Sequence, residues 1–220
     1  LRIELTKKER AAGKENSTLE ADKTPYERLL DGVGIKELEK ETNYSNEGGK
    51  GIDSLAIGFR ASTDKNATEA LAVGYKSIAN GVEAVALGSE SKASGERAVA
   101  LGVDTVASGK SSIAIGKEAK ATENLSIAIG AKDGDRNTLV SNEGSVAIGH
   151  GTQISGSWST GIGGNVTVTG KTSVAIGDRA EAKADKTVAL GAAAKANIAN
   201  SVALGQGVTV TKSEGAGYLT

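Results

Sequence analysis

Eleven copies of one five-residue motif dominate this chain: a small residue, an aliphatic, Ala, then Ile, Leu or Val, then Gly. Their glycines stand at Gly58, Gly74, Gly88, Gly102, Gly116, Gly130, Gly149, Gly163, Gly177, Gly191 and Gly205, so successive gaps are 16, 14, 14, 14, 14, 19, 14, 14, 14 and 14 residues. Ser112-Ile113-Ala114-Ile115-Gly116 and Ser173-Val174-Ala175-Ile176-Gly177 are typical copies, and Ser159-Thr160-Gly161-Ile162-Gly163 is the weakest. Small residues recur three and five positions past the glycine, as in Ser91 and Ala93 or Ala119 and Ala121, and a further glycine often follows at Gly81, Gly95, Gly109, Gly156 or Gly170. A fixed short period is the signature of a repeat architecture and overrides local readings.

Fourteen residues are too few for a helical hairpin but fit two short strands and two tight turns. Alternation within the motif puts the two aliphatics on one face of a strand and the alanine on the other. Each coil must stack on the next by parallel backbone pairing, about 4.8 Å away, so eleven coils make a rod roughly 50 Å tall. Ordering one coil costs on the order of 20 kcal/mol. Burial returns about 7 to 9 kcal/mol and backbone hydrogen bonds about 10, so a single coil is close to neutral and needs its neighbours.

The aliphatics are expected to form the roll core: Leu55, Ile57, Val85, Leu87, Val99, Leu101, Ile113, Ile115, Ile127, Ile129, Val146, Ile148, Val174, Ile176, Val188, Leu190, Val202 and Leu204. The alanine column (Ala56, Ala72, Ala86, Ala100, Ala114, Ala128, Ala147, Ala175, Ala189 and Ala203) is then the face left for close approach of a second chain. Solvent faces more often carry Lys, Glu or Thr.

Composition removes most other functions. Lys and Arg number 26 against 27 Asp and Glu, giving no electrostatic reason to expect nucleic acid. Cys is absent and His150 is the only histidine, which excludes thiolate chemistry and leaves one ordinary proton carrier. No metal and no cofactor is expected. Aromatics make up only 3%, too few for an ordinary globular core. No apolar run spans a bilayer and no secretion signal opens the chain, so any export signal and membrane anchor are expected outside it.

The recurring Ser-Val-Ala-Ile-Gly pentad resembles the head repeats of trimeric autotransporter adhesins, the YadA-like surface proteins of Gram-negative bacteria. The likeness runs from about Gly51 to Val210. It implies an all-β fold, a left-handed parallel β-roll of about eleven coils, assembled as a homotrimer and carried on the bacterial surface by an outer-membrane anchor beyond this sequence. It further implies attachment to host cells or to matrix proteins such as fibronectin, collagen or laminin. A spacer that projects a more distal tip is the competing reading. Enzymatic β-solenoids use eighteen-residue coils, calcium rolls a nonapeptide, and ice-binding solenoids a regular Thr ladder, none of which occurs here.

Three segments stand outside the pattern. Residues 1–50 are charged and unrepeated, and Thr24-Pro25-Tyr26-Glu27 reads as a helix start, so a partly helical cap or a receptor-binding tip is expected there. Residues 51–210 form the head, and 211–220 read as the start of a neck or connector. The nineteen-residue gap places Lys132, Asp133, Gly134, Asp135, Arg136 and Asn137 on a loop bulging from the rod, the preferred candidate for ligand specificity. Its Asp-Gly-Asp run reads as a solvated turn rather than a calcium loop, since the remaining ligands and the distant Glu of an EF-hand are missing. Trp158, the only tryptophan, is either an exposed contact residue or a filler of the space left by Gly161.

Overall fold

The computed structural model describes residues 48–211. The calls for helices within 1–50 and for a neck beyond 211 lie almost wholly outside the described residues. Within them the chain winds through eleven coils, each contributing a three-residue strand to one sheet and a two-residue strand to another. The first sheet begins at Leu55–Ile57 and Leu71–Val73 and ends at Val188–Leu190 and Val202–Leu204. The second begins at Ser62–Thr63 and ends at Thr209–Val210. Both are eleven-stranded, and every neighbouring pair is parallel and one coil apart in sequence. This is an all-β parallel solenoid, with no helix among the described residues.

Register is kept in spite of the two irregular gaps. Ala100, Ala114, Ala128 and Ala147 are successive partners, although the last step crosses nineteen residues. Leu139 and Val140 likewise sit on Lys120 and Ala121, so the extra residues are confined to the turn between the two strands.

The faces are the reverse of the expected ones. The motif alanines are completely buried inside the single chain, with Ala72, Ala86, Ala100, Ala114, Ala128, Ala147, Ala175, Ala189 and Ala203 at 0% exposure and Ala56 at 1%. The aliphatics predicted as core point outward instead, Ile57 being 50% and Leu101 39% exposed. The reason is thickness. Two sheets joined by turns this tight cannot stand the usual ~10 Å apart, so their shared interior admits mainly Ala, Gly, Ser and Thr, with an occasional valine and Ile154 where Gly161 leaves room.

The small residue that opens each motif belongs to this interior as well. Ser112, Ser126, Ser145, Ser159 and Ser173 are buried beside the alanines. Most of their hydroxyls reach carbonyls of the turns, as Ser145 Oγ donates to Gly156 O at 2.8 Å and Ser159 Oγ to Gly170 O at 2.9 Å, which offsets the cost of burying them. Ser112 Oγ is buried without a partner among the described residues. On the second sheet Thr105 and Thr138 donate in the same way to Gly116 O and Gly149 O, each at 2.8 Å.

Gly149 shows why the motif ends as it does. Its φ is +127°, outside the range of L-residues, and a Cβ there would lie 1.9 Å from the carbonyl oxygen of Gly163 in the next coil. At the opposite turn Gly170 has no such φ, yet its Cβ would lie 1.8 Å from Ala184 O, so close approach alone demands glycine there.

Each coil also holds non-glycine residues at positive φ, where Asn and Asp are at ease and β-branched residues are strained. Thr172, exposed and at φ 52°, is such a residue. Thr172→Asn is therefore expected to stabilise the roll by about 1 kcal/mol, read as a rise of roughly 2 to 4 °C in thermal melting.

Candidate functional site

The outward face of the first sheet is the largest apolar feature. Each of its eleven strands presents two outward positions, and all of these are aliphatic except Thr160. Side chains such as Leu87, Ile148, Leu190 and Leu204 are exposed along it. The second sheet turns Lys92, Lys120, Gln153, Thr167, Glu181 and Lys195 outward at the equivalent places. The outer face of the first sheet is thus aliphatic, and that of the second is mostly polar, with Ile78, Val106 and Leu139 among its outward residues. A continuous apolar stripe of this length is the mark of an interaction surface.

The loop sits where the nineteen-residue gap placed it, at the turn that leads from the first sheet to the second. Asp133 and Arg136 exchange backbone hydrogen bonds, Asp133 N to Arg136 O at 2.8 Å and Arg136 N to Asp133 O at 2.9 Å, closing a tight hairpin. Lys132 pairs with Glu118 one coil below at 3.0 Å. Asp133 Oδ2 accepts from Asn165 Nδ2 at 2.7 Å and lies 3.2 Å from His150 Nδ1. These contacts, the Asn165 amide first and then His150, hold the Asp133 carboxyl below its usual range.

Arg136 reaches furthest. Its guanidinium donates to Gly151 O at 3.1 Å, Val166 O at 3.3 Å and Thr167 Oγ1 at 3.0 Å, tying the loop to the two following coils. Asp135 stays exposed at the tip, and Asn137 is half-buried at the return. The loop is therefore a fixed ornament, strapped down at Asp133 and Arg136.

Trp158 lies apart from these residues, on the turn that leads from the second sheet back to the first. It is 59% exposed, and its ring lies over Gly144, where a Cβ would stand 2.3 Å from Cε3. The space beside Gly161 is taken by Ile154, Thr152 and Val166, whose methyls would lie 3.1 to 3.2 Å from a Cβ at that glycine. Trp158 is thus not the filler.

His150, Asn165, Arg179 and Lys195 were not singled out as ligand-site candidates by their motifs. Coil register was the signal that could have found them: Asn165 and Arg179 both fall two residues past a motif glycine, on the edge where the loop emerges. His150, which has no acidic partner at any motif-like spacing in the sequence, acquires Asp133 as its neighbour through stacking alone. Among the described residues no group of three or more His, Cys, Asp or Glu is placed to hold a metal ion.

Cross-coil ion pairs line the rest of the surface. Glu96 pairs with Lys110 at 2.8 Å and with the adjacent Arg97, and these hydrogen bonds, Lys110 foremost, bring its carboxyl down to about 2. Such exposed pairs contribute little to stability. Glu181 takes Lys183 at 2.5 Å and Lys195 at 3.1 Å, and is likewise held low by these two lysines, Lys183 first.

A two-sheeted parallel roll with a fourteen-residue period, small inside and aliphatic along one outer face, is a parallel β-solenoid of about eleven turns. A family model, the YadA head domain repeat in two copies, matches residues 66–91, 79–105, 107–132, 155–180, 169–193 and 182–207, together more than half of the chain. The chain belongs to the YadA head domain family. No match was found among curated proteins. Heads of this family are structural modules of trimeric autotransporter adhesins, not enzymes, and generally form homotrimers.

Proposed function

We propose that this chain is the adhesive head of a bacterial surface protein, wound left-handed, acting as a homotrimer and attaching the cell to host surfaces. Matrix proteins of the fibronectin, collagen and laminin kind, or a host cell receptor, are the partners. In this reading the head is carried at the outer membrane, with 1–50 as cap or tip and 211–220 as connector.

The observation that carries this reading is the combination of the family repeat with an outer face on the first sheet that is aliphatic at every strand position but Thr160. A face of that kind suits burial at a three-chain seam, which leaves the mostly polar second sheet and both turn edges pointing to the surroundings. The seam is formed by Ile113, Ile115, Ile127 and Ile129 and their equivalents rather than by the alanine column, which is already enclosed within one chain. Three copies of any contact site then act together, raising avidity without new contacts.

Saturable attachment of the trimeric chain to immobilised matrix proteins or host cells, persisting at moderate salt, is the expected result of a solid-phase assay. Deletion of Lys132 to Asn137 is expected to weaken attachment if the loop carries specificity. A folded trimer that attaches to nothing across the panel leaves the spacer reading in place.

A further inference from the structure

Beside the loop the second sheet and its turn enclose a groove of about 500 Å³, reached by Arg136, Asn165, Thr167, Arg179, Glu181 and Lys195. A smaller hollow of about 120 Å³ shares Thr167 with it and is walled by Leu139, Ile154, Ser141, Gln153, Ser155 and Thr169. Three cations, Arg136, Arg179 and Lys195, line the groove against one carboxylate, Glu181, with Lys183 and Asp178 adjoining as ion-pair partners of Glu181 and Arg179. Asp133 stands at the rim with its carboxylate engaged by Asn165 and His150.

The charges are also poised unequally. Arg136 meets only carbonyls and a hydroxyl, so no carboxylate among the described residues neutralises it. Glu181 is shared between two lysines. Arg179 pairs with Asp178 at 2.8 Å yet remains 73% exposed, free to accept a second anion on its outer edge. The groove therefore has an unbalanced positive charge, fixed at one end by the strapped Arg136.

We propose that this groove binds an extended acidic polysaccharide, its carboxylate or sulfate groups seated on Arg136, Arg179 and Lys195 and its hydroxyls on the Ser, Thr, Asn and Gln floor. This rests on the adhesive reading and gives it a ligand class. Arg179 and Lys195 stand on successive coils about 4.8 Å apart, and Arg136, rooted three coils before Arg179, extends its guanidinium to Thr167 in the coil just before Arg179. The cationic heads therefore advance along the rod axis by a step close to that of one sugar ring in an extended chain. An acidic peptide fits less well. The groove has no deep apolar pocket for side chains, and within the stack the backbone ladders of both sheets are already paired on each side, leaving no strand edge to extend.

The test uses the full chain and four probes: a heparin octasaccharide, an oligosialic acid bearing carboxylates only, a neutral dextran of similar length, and polyglutamate. Binding is followed by calorimetry at about 0.05 and 0.2 M salt, since screening must weaken it. One or both acidic oligosaccharides are expected to bind, and which of them binds tells sulfate from carboxylate recognition, while dextran does not bind. The double variant R179Q/K195Q is expected to lose about tenfold or more in affinity through two charge-assisted contacts, with unchanged melting because both side chains are solvent-facing.

Failure of both acidic oligosaccharides, tighter binding of polyglutamate, or undiminished binding by R179Q/K195Q overturns the proposal. Cell attachment separates it from the broader reading. If the parent chain attaches and the double variant attaches equally, the groove falls and the adhesin stands. If the parent chain does not attach, the adhesin reading falls, and the oligosaccharide measurements judge the groove alone.

Discussion

Ala114→Leu is expected to lower the melting temperature of this protein by roughly 10 °C, whereas Ala114→Ser is expected to change it little. Ala114 has no exposed surface, and its register partners on either side, Ala100 and Ala128, are equally enclosed. The inward residues of the facing strand in the same coil, Ala119 and Ala121, are also fully buried. Three added carbons meet backbone or methyl groups in every direction, with no long side chain able to swing aside. Overpacking then costs toward the upper end of its usual range, about 3 kcal/mol, and for a chain of this size each kcal/mol moves melting by about 2 to 4 °C. Serine is tolerated because the same interior already accepts it, with hydroxyls such as Ser145 Oγ donating to a turn carbonyl. Thermal denaturation followed by circular dichroism decides the matter. A leucine at 114 without effect would put the alanine column back on an outer face.

Period, strand content, parallel stacking and the location of the insertion were all legible in the sequence, because spacing alone determines them. Which side of each strand faced inward was not. Alternation separates Ile113 and Ile115 from Ala114 but is silent on direction, and the habit of placing large aliphatics inside assumes a two-layer separation that these turns forbid. The missing clue was that in most coils the residues sharing the alanine face are small, as with Ser112 and Ala114 on one strand and Ala119 and Ala121 on the other. Gly161 supplied a second clue, since its coil compensates with Ile154 and Val166 rather than with the neighbouring tryptophan.

The loop was visible as five surplus residues, but its fixed shape depends on partners contributed by later coils. Asn165 lies 32 residues from Asp133, and Thr167 lies 31 from Arg136. Neither belongs to a motif, and stacking alone brings them together. The groove beside the loop has the same origin: Arg136 and Lys195 share it only because four coils of register lie between them.

Assembly is expected to fail when lysines are placed on the aliphatic face. In the pair Ile113→Lys and Ile127→Lys the substituted side chains are adjacent register partners near the middle of the first sheet. An outward strand position tolerates lysine as such, since Lys92, Lys120 and Lys195 occupy the matching places on the second sheet. What changes is the seam. Each isoleucine is already half-covered in one chain, so its further burial in a trimer is worth about 1 kcal/mol. Six such losses per trimer amount to roughly 6 kcal/mol, more than four orders of magnitude in the assembly constant, before the cost of enclosing the ammonium groups. Sedimentation velocity at micromolar concentration is expected to show the parent as a trimer and the double variant as single chains. Val106→Lys on the opposite sheet is expected to leave the trimer intact, because that position faces the surroundings in either case. If both substitutions behave alike, the aliphatic face is not the seam, and the burial of these isoleucines must be sought in some other partner.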